Sequence, residues 1–225
     1  MNRKEELIYD NPLDCQECVK DFVLEGEAEI TFPQGRMRIR NTMDESMGQA
    51  ANIVYWCPQE FPRDVRITWD FYPLKEKGLC VFFFAAQGRK GEDLFSPSLM
   101  RRTGEYQMYH SGDINAFHIS YYRRMYESER EFQVANLRKS YGFHLVAQGA
   151  DPIPYPPDAR PPYRMRVDSQ DGAVAFFINE LPIFHFEDDG KTYGPLLGGG
   201  KIGFRQMSPM IGEYANLKVW ELKKR

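Results

Sequence analysis

No long stretch of the chain returns apolar residues at the 3.6-residue spacing of an amphipathic helix. Short alternating or wholly apolar runs recur instead, cut by turn residues. Such a pattern predicts strands throughout. Ile67-Thr68-Trp69-Asp70-Phe71-Tyr72 alternates, whereas Leu79 to Ala86 is continuously apolar, as a central strand covered on both faces would be. Asn115 to Tyr122 reads as a further strand. Tyr163 to Val167, Ala173 to Ile178 and Leu181 to Phe186 follow one another across Ser169-Gln170-Asp171-Gly172 and Asn179-Glu180, the pattern of an antiparallel meander. Lys201 to Arg205 and Ala215 to Leu222 close the series, and the last strand is expected to return beside the opening one. Two stretches break the pattern. Asp151 to Pro162 holds six prolines in twelve residues and reads as a stiff surface loop, while Ser128 to Val134 has room for one helical turn.

With 225 residues, 42% of them hydrophobic, the chain can bury a sizeable core. All-β sandwiches of this length fold as one unit. The expectation is therefore one domain over residues 1–225, all-β, a two-sheet antiparallel jelly-roll sandwich. The 29 basic and 32 acidic residues leave a net charge of −3, which creates no field favouring nucleic acid or an anionic membrane. An anion could be held only by a local basic cluster. The opening Met1-Asn2-Arg3-Lys4-Glu5-Glu6-Leu7 has neither the apolar core nor the small-residue cleavage site of a secretory leader, so a cytoplasmic protein is expected.

Cys15 and Cys18 form a C-x-x-C, but Cys57 and Cys80 stand singly in apolar runs. A four-thiolate zinc site pairs two closely spaced couples. The spacing instead suggests small buried thiols in a reducing compartment. Asp113 and Asn115 together offer two oxygen ligands, short of the roughly six to eight that calcium takes. No metal and no cofactor is expected, and no Walker loop, nucleophile elbow or dinucleotide fingerprint is present.

The densest run of functional side chains is Arg101 to Lys139, rich in Arg, Tyr and His within an acidic chain. If Asn115 to Arg124 is a strand, alternation places His118, Ser120, Tyr122 and Arg124 on one face and Phe117, Ile119, Tyr121 and Arg123 on the other. Aromatic rings cover the C–H faces of sugars, and His, Asn and Arg bond their hydroxyls, so the first face suits a carbohydrate. Arg138 and Lys139, with Arg123 and Arg124 upstream, could grip a carboxylate, which favours an acidic sugar over a neutral one. The same arginines could equally guard an exposed sheet edge. His118 could equally be a satisfied core residue, and the core reading is the stronger one for His144 and His185.

Three chemistries fit these residues. A glycosidase needs two carboxyl groups about 5 to 10 Å apart, for which Glu92, Asp93 and Asp113 are the candidates. A lyase acting on a uronate needs a cation on the carboxylate and a His or Tyr base, for which Arg138, Lys139, His110 and Tyr109 would serve. A binding module needs only stacking and hydrogen bonds.

Glu92-Asp93-Leu94-Phe95, Pro97-Ser98-Leu99, Tyr109 to Ala116, Asn136-Leu137-Arg138-Lys139-Ser140, Gly149-Ala150-Asp151-Pro152 and Gly203-Phe204-Arg205-Gln206-Met207 resemble the YesU-like bacterial family of unknown function. The resemblance runs from about Asn11 to the C-terminus. It implies a galectin-like, concanavalin A-like sandwich and an association with bacterial handling of pectin, notably rhamnogalacturonan. It supplies no catalytic set, but it adds Arg205 and Gln206 to the candidates. The leading expectation is an enzyme, glycosidase or lyase, acting on oligosaccharides from acidic pectin. His110, Asp113, His118, Glu92 and Tyr109 stand nearest the chemistry. Asn115, Tyr122, Arg124, Arg138, Lys139, Arg205 and Gln206 contact the sugar. The alternatives are a non-catalytic lectin-like domain and an interaction protein whose basic groups scatter over a convex surface. A homodimer is compatible with this class.

Overall fold

The alternating runs fold as fifteen strands in a computed structural model that describes residues 4–223. In chain order these begin with β1 (Lys4–Asn11), β2 (Val23–Glu25), β3 (Ala28–Thr31), β4 (Met37–Asn41) and β5 (Ile53–Phe61). Next come β6 (Val65–Lys75), β7 (Cys80–Gly88), β8 (Ile114–Tyr121), β9 (Val134–Ser140) and β10 (His144–Ala150). The last are β11 (Tyr163–Gln170), β12 (Ala173–Ile178), β13 (Leu181–Glu187), β14 (Gly200–Gln206) and β15 (Ile211–Lys223). Two short helices, α1 (Gln107–His110) and α2 (Glu127–Glu131), flank β8. The reading of the chain start as leaderless falls partly on residues 1–3, outside the described range.

The strands pair antiparallel in two sheets. The larger runs β13-β12-β11-β6-β15-β4-β3 with β1 added along β15, and the smaller runs β10-β9-β8-β7-β14-β5-β2. As expected, the last strand returns to the first, in register from Lys4 opposite Lys223 to Asn11 opposite Leu217. The meander β11-β12-β13 turns through residues with positive φ at both central positions, Asp171 and Gly172 in one hairpin and Asn179 and Glu180 in the other. Such paired values match the twist of the flanking strands. The first turn is tighter than its sequence suggests, because Ser169 and Gln170 remain in β11.

Between the sheets lies an aromatic core, in which Trp69 of β6 stacks on Phe82 of β7 at 4.0 Å. Each such ring fully buried contributes about 1.5–3 kcal/mol. The continuously apolar β7 is covered on both faces, as its composition requires. Phe82 and Phe84 point into the inter-sheet core, and Val81, Phe83 and Ala86 point away, beneath Tyr109 and Leu94 of the 89–113 connection. That connection is thus a second layer on the outer face of the smaller sheet. The proline-rich segment is a loop with one short turn at Pro156–Asp158. Asp151 pins its start by accepting from the Tyr122 and Ile153 amides at 2.6 and 3.1 Å.

Two expectations need correction here. Cys57 and Cys80 are buried, but Cys15 and Cys18 are half-exposed in the turn after β1, where the Cys18 thiol donates to Asp14 at 3.1 Å. The alternation expected for residues 115–124 holds through Tyr121 and fails beyond it. β8 ends at Tyr121, and Tyr122 adopts φ +49°, so its ring enters the inter-sheet core beside Phe71, 5.6 Å between centroids. Among the described residues no helix is long and apolar enough to cross a membrane.

Candidate functional site

Strand register places side chains of the smaller sheet in rows across its outer face. One row runs Gln148, Asn136, Ser120, Val81, Arg205, Val54 and Glu25 from β10 to β2. The next runs Leu145, Arg138, His118, Phe83, Gly203, Trp56 and Val23. Polar groups gather on β9, β8 and β14, while large apolar groups occupy β7 and β5 under the 89–113 layer. Where that layer stops, a cavity of about 200 Å³ opens above Ser120, Val81 and Asn136, walled by Arg205, Arg138, Arg123 and Tyr106. Tyr126 and Phe143 stand at its rim, both largely exposed.

The three arginines differ in what neutralises them. Arg123 is paired with Glu129 at 2.6 Å, and Glu129 is further engaged by the Met125 and Tyr126 amides of the α2 start. Arg138 donates to the Phe143 carbonyl at 2.8 Å and lies 3.7 Å from that ring's centroid. Arg205, 1% exposed, donates to Gln49 Oε1 at 3.0 Å and the Gly104 carbonyl at 3.3 Å, and its Nε has no partner. Among the described residues no carboxylate forms an ion pair with Arg138 or Arg205, and burial pulls both below the ordinary arginine value. A desolvated cation without a counterion is costly. Arg205 is such a cation, the half-buried Arg138 faces the same cavity, and together they offer an anion two guanidinium partners.

Tyr106 closes the opposite wall, half-buried, with its ring 4.7 Å from the Arg205 guanidinium. Its hydroxyl is 3.1 Å from His118 Nδ1, and His118 Nε2 is 2.7 Å from Ser140 Oγ. The Ser140 hydroxyl is directed at the carbonyls of Tyr109 and Ala116, at 3.2 and 3.3 Å. A Ser140 proton placed on either carbonyl leaves the serine accepting from His118, an arrangement in which the ring carries hydrogen on Nε2 and Nδ1 accepts from Tyr106. Burial, with His110, Arg138 and Arg205 nearby, holds His118 well below its ordinary pKa, and burial pushes Tyr106 up to about 12. His110 packs on Phe143 at 4.3 Å and on Tyr106 at 5.0 Å, behind the rim.

Glycine shapes the wall below Tyr106. Gly104 has φ +99°, and a Cβ there would lie 1.9 Å from the Asn52 carbonyl oxygen. Only glycine permits that approach. Further back, Glu25 collects Trp56 Nε1 at 2.9 Å, the Tyr109 hydroxyl at 2.8 Å and Arg102 at 2.8 Å, anchoring the 89–113 layer to β2 and β5. A larger groove of about 660 Å³ runs along β2 and residues 94–103, but its buried charges, Glu25 and Arg102, satisfy each other.

Of the candidates read from sequence, Arg138 and Arg205 line the cavity, His118 stands directly behind Tyr106, and His110 flanks the rim. The others lie elsewhere for identifiable reasons. Tyr109 is buried and spent on Glu25. Glu92 accepts from the Lys90 amide, and Asp113 from the Met100 amide at 2.5 Å, so both shape loops. Asn115 accepts from the Tyr141 amide at 3.0 Å. Arg124, turned inward by the Tyr122 backbone, donates to the Ile153 carbonyl at 2.7 Å and faces Asp151 at 3.5 Å. Lys139 points to the opposite face and pairs with Asp188 at 2.6 Å. Gln206 ties the two sheets together through the Ile39 and Met210 carbonyls, at 2.9 and 2.8 Å. Arg123, read as a grip for a carboxylate, and Ser120, read on the sugar face, do line the cavity, as do Tyr106 and Asn136 of the same dense run, for which no role is expected from sequence. Gln49, Glu129, Ser140 and Phe143 carried no signal beyond ordinary polarity or apolarity.

Comparison with known proteins settles the family. The model of a family described as a domain of unknown function, DUF1961, matches residues 6–219. The chain belongs to that family. The uncharacterized protein YesU of Bacillus subtilis (strain 168) is 51% identical over 225 residues, covering 100% of both chains. A crystal structure of a protein of unknown function with a galectin-like fold from Bacillus subtilis superposes with TM-score 0.95, at 51% identity and full coverage of both chains. This DUF1961 member therefore has the galectin-like jelly-roll sandwich its sequence implied. The Bacillus licheniformis β-glucanase shares the fold at TM-score 0.59 and 9% identity, over 97% of this chain and 99% of that one.

Proposed function

We propose that this protein is a carbohydrate-active enzyme whose substrates are uronate-bearing oligosaccharides of the pectin class. One observation carries the reading: Arg138 and Arg205, neither paired with a carboxylate among the described residues, face the same cavity. A sugar carboxylate would supply the missing charge, and a guanidinium binds it through a two-pronged fork. The ring of Phe143, the ring of Tyr126 and the side chains of Ser120 and Asn136 give the stacking surfaces and hydroxyl partners that the rest of a sugar needs. The fold shared with a β-glucanase is compatible with this use but assigns no substrate. Unpaired cysteines at all four positions fit a reducing compartment, so we place the reaction in the cytoplasm, on short imported oligosaccharides.

Hydrolysis by two carboxyl groups has little to support it at this cavity. Among the described residues Glu129 is the one carboxylate lining it, and it is bound to Arg123. Asp93 is held at 2.6 Å by Lys201, outside the cavity. The test is titration calorimetry with galacturonate and rhamnogalacturonan oligosaccharides beside their carboxyl-reduced counterparts. Binding of the acidic forms alone, lost in Arg205→Met, is expected. Equal affinity for the reduced forms would remove the carboxylate reading. Acidic binding with no product of any kind would leave a sugar-binding protein.

A further inference from the structure

The groups around the cavity that could move a proton form one chain. Tyr106 lines the cavity and its Oη reaches His118 Nδ1 at 3.1 Å; His118 Nε2 is fixed by Ser140 at 2.7 Å. The tautomer argued above leaves Nδ1 as the acceptor, so the tyrosine hydroxyl already points its proton at a base. Tyr106 lines that cavity together with Arg205 and Arg138, whose charges act on its hydroxyl, and the oxygen keeps a lone pair to accept a proton. Among the described residues that line the cavity, Tyr106 is the one with a histidine behind its hydroxyl, and Glu129 is committed to Arg123.

Resting on the uronate reading, we infer that the reaction is a β-elimination in which Tyr106 is the catalytic proton-transfer residue and His118, fixed by Ser140, is its positioning partner. The uronate carboxylate lies on Arg138 and Arg205, which stabilise the negative charge that grows on it as the C5–H bond breaks. The C5 proton moves to Tyr106 Oη while the hydroxyl proton of Tyr106 moves to His118 Nδ1. The electron pair of the C5–H bond becomes the C4=C5 double bond, and the C4–O4 bond breaks with its pair leaving on O4. The proton returns from His118 through Tyr106 to that oxygen. Atoms and charge balance without water, metal or oxidant. The bound carboxylate also offsets the two arginines that, after burial and together with His110, hold His118 below its ordinary pKa, so the imidazole gains basicity when substrate binds.

The experiment incubates the full-length protein with galacturonate and rhamnogalacturonan oligosaccharides. It follows the ultraviolet absorbance of the C4=C5 bond and the product masses, with affinities measured in parallel. Wild type is expected to give unsaturated product without addition of water. Tyr106→Phe keeps the ring against Arg205 and is expected to bind within about threefold of wild type while turning over at least a hundredfold more slowly, the usual scale for losing general acid–base assistance. His118→Asn leaves Tyr106 an acceptor that cannot take a proton, so kcat should fall with KM held. Products heavier by one water overturn elimination but leave the uronate reading. Binding without any product, or Tyr106→Phe working at the wild-type rate, overturns the inference in the same way. No binding of any uronate overturns the reading beneath it.

Discussion

Arg205 lies over the Tyr106 ring at 4.7 Å, buried among groups that carry no opposite charge. A fold gains little from that placement. The arginine donates only to a side-chain amide and a carbonyl, and its Nε is left without a partner. The arrangement is costly to the fold by itself and useful to an anion-binding site, the pattern of a site where function is kept against stability. Arg205→Met should therefore hold or raise the melting temperature while weakening binding of acidic oligosaccharides. Hydrogen bonds to charged groups contribute about 1.5–3 kcal/mol, so the loss should be roughly ten- to hundredfold. Thermal melts paired with calorimetry decide it; a variant that melts lower and binds normally would make Arg205 a structural residue.

Tyr122 offers the opposite control. Its ring packs in the inter-sheet core and its buried hydroxyl has no partner. Tyr122→Phe removes an unsatisfied polar group without changing shape, so the variant should be more stable by about 0.5–1.5 kcal/mol. Urea unfolding measures this, and sugar affinity should not move.

Glu25 should be among the costliest residues to truncate. It satisfies Arg102, Trp56 and Tyr109 at once in a site that is nearly closed to solvent. Glu25→Ala leaves the Arg102 cation buried and unpaired, a loss of about 3–5 kcal/mol. Because Tyr109 anchors the segment bearing Tyr106, binding should weaken too. Denaturant midpoints and hydrogen exchange across residues 94–113 report both effects.

The pH dependence of stability should carry the mark of His118. Buried beside Tyr106, Ser140 and Phe83, with positive charge approaching from His110, Arg138 and Arg205, it is held well below 6.5 in the fold. The unfolded ring titrates near that ordinary value. Below it, the unfolded chain binds a proton that the folded chain refuses, so stability is full above about pH 6.5 and falls as pH drops toward the folded pKa. His118→Asn should flatten this decline between about pH 5 and 6.5. Urea midpoints collected across that range test it, and an unchanged slope would mean the ring is not held neutral.

Much of the sandwich was legible because its signals are local. The period-2 alternation of β11, the apolar run of β7 and the Asp171-Gly172 turn each announce themselves within a few residues. The site was legible only by neighbourhood. Arg138 and Arg205 were found, yet Lys139 was carried along with Arg138 although adjacent strand residues face opposite ways, a consequence of the pleat that should have separated them. Tyr122 and Arg124 were misplaced because one left-handed residue shifts every side chain after it. Nothing near Tyr106 in sequence distinguishes it from Tyr109. Their different fates depend on Glu25 and Gln49, which reach this segment only through the fold.

The place of β15 carries a consequence for how the molecule comes together. This strand follows all the others in the chain yet lies between β6 and β4 and also holds β1. Until it emerges, β3–β4 and the β6-β11-β12-β13 group have no shared hydrogen-bonded edge. A nascent chain must therefore keep two sheet fragments with open apolar faces from aggregating, and closure waits for the contact between the two ends of the described chain, Lys4 with Lys223. Removing β15 should leave not a shortened sheet but three pieces, β1, the β3–β4 pair and the β6-β11-β12-β13 group, with no strand to join them in one sheet.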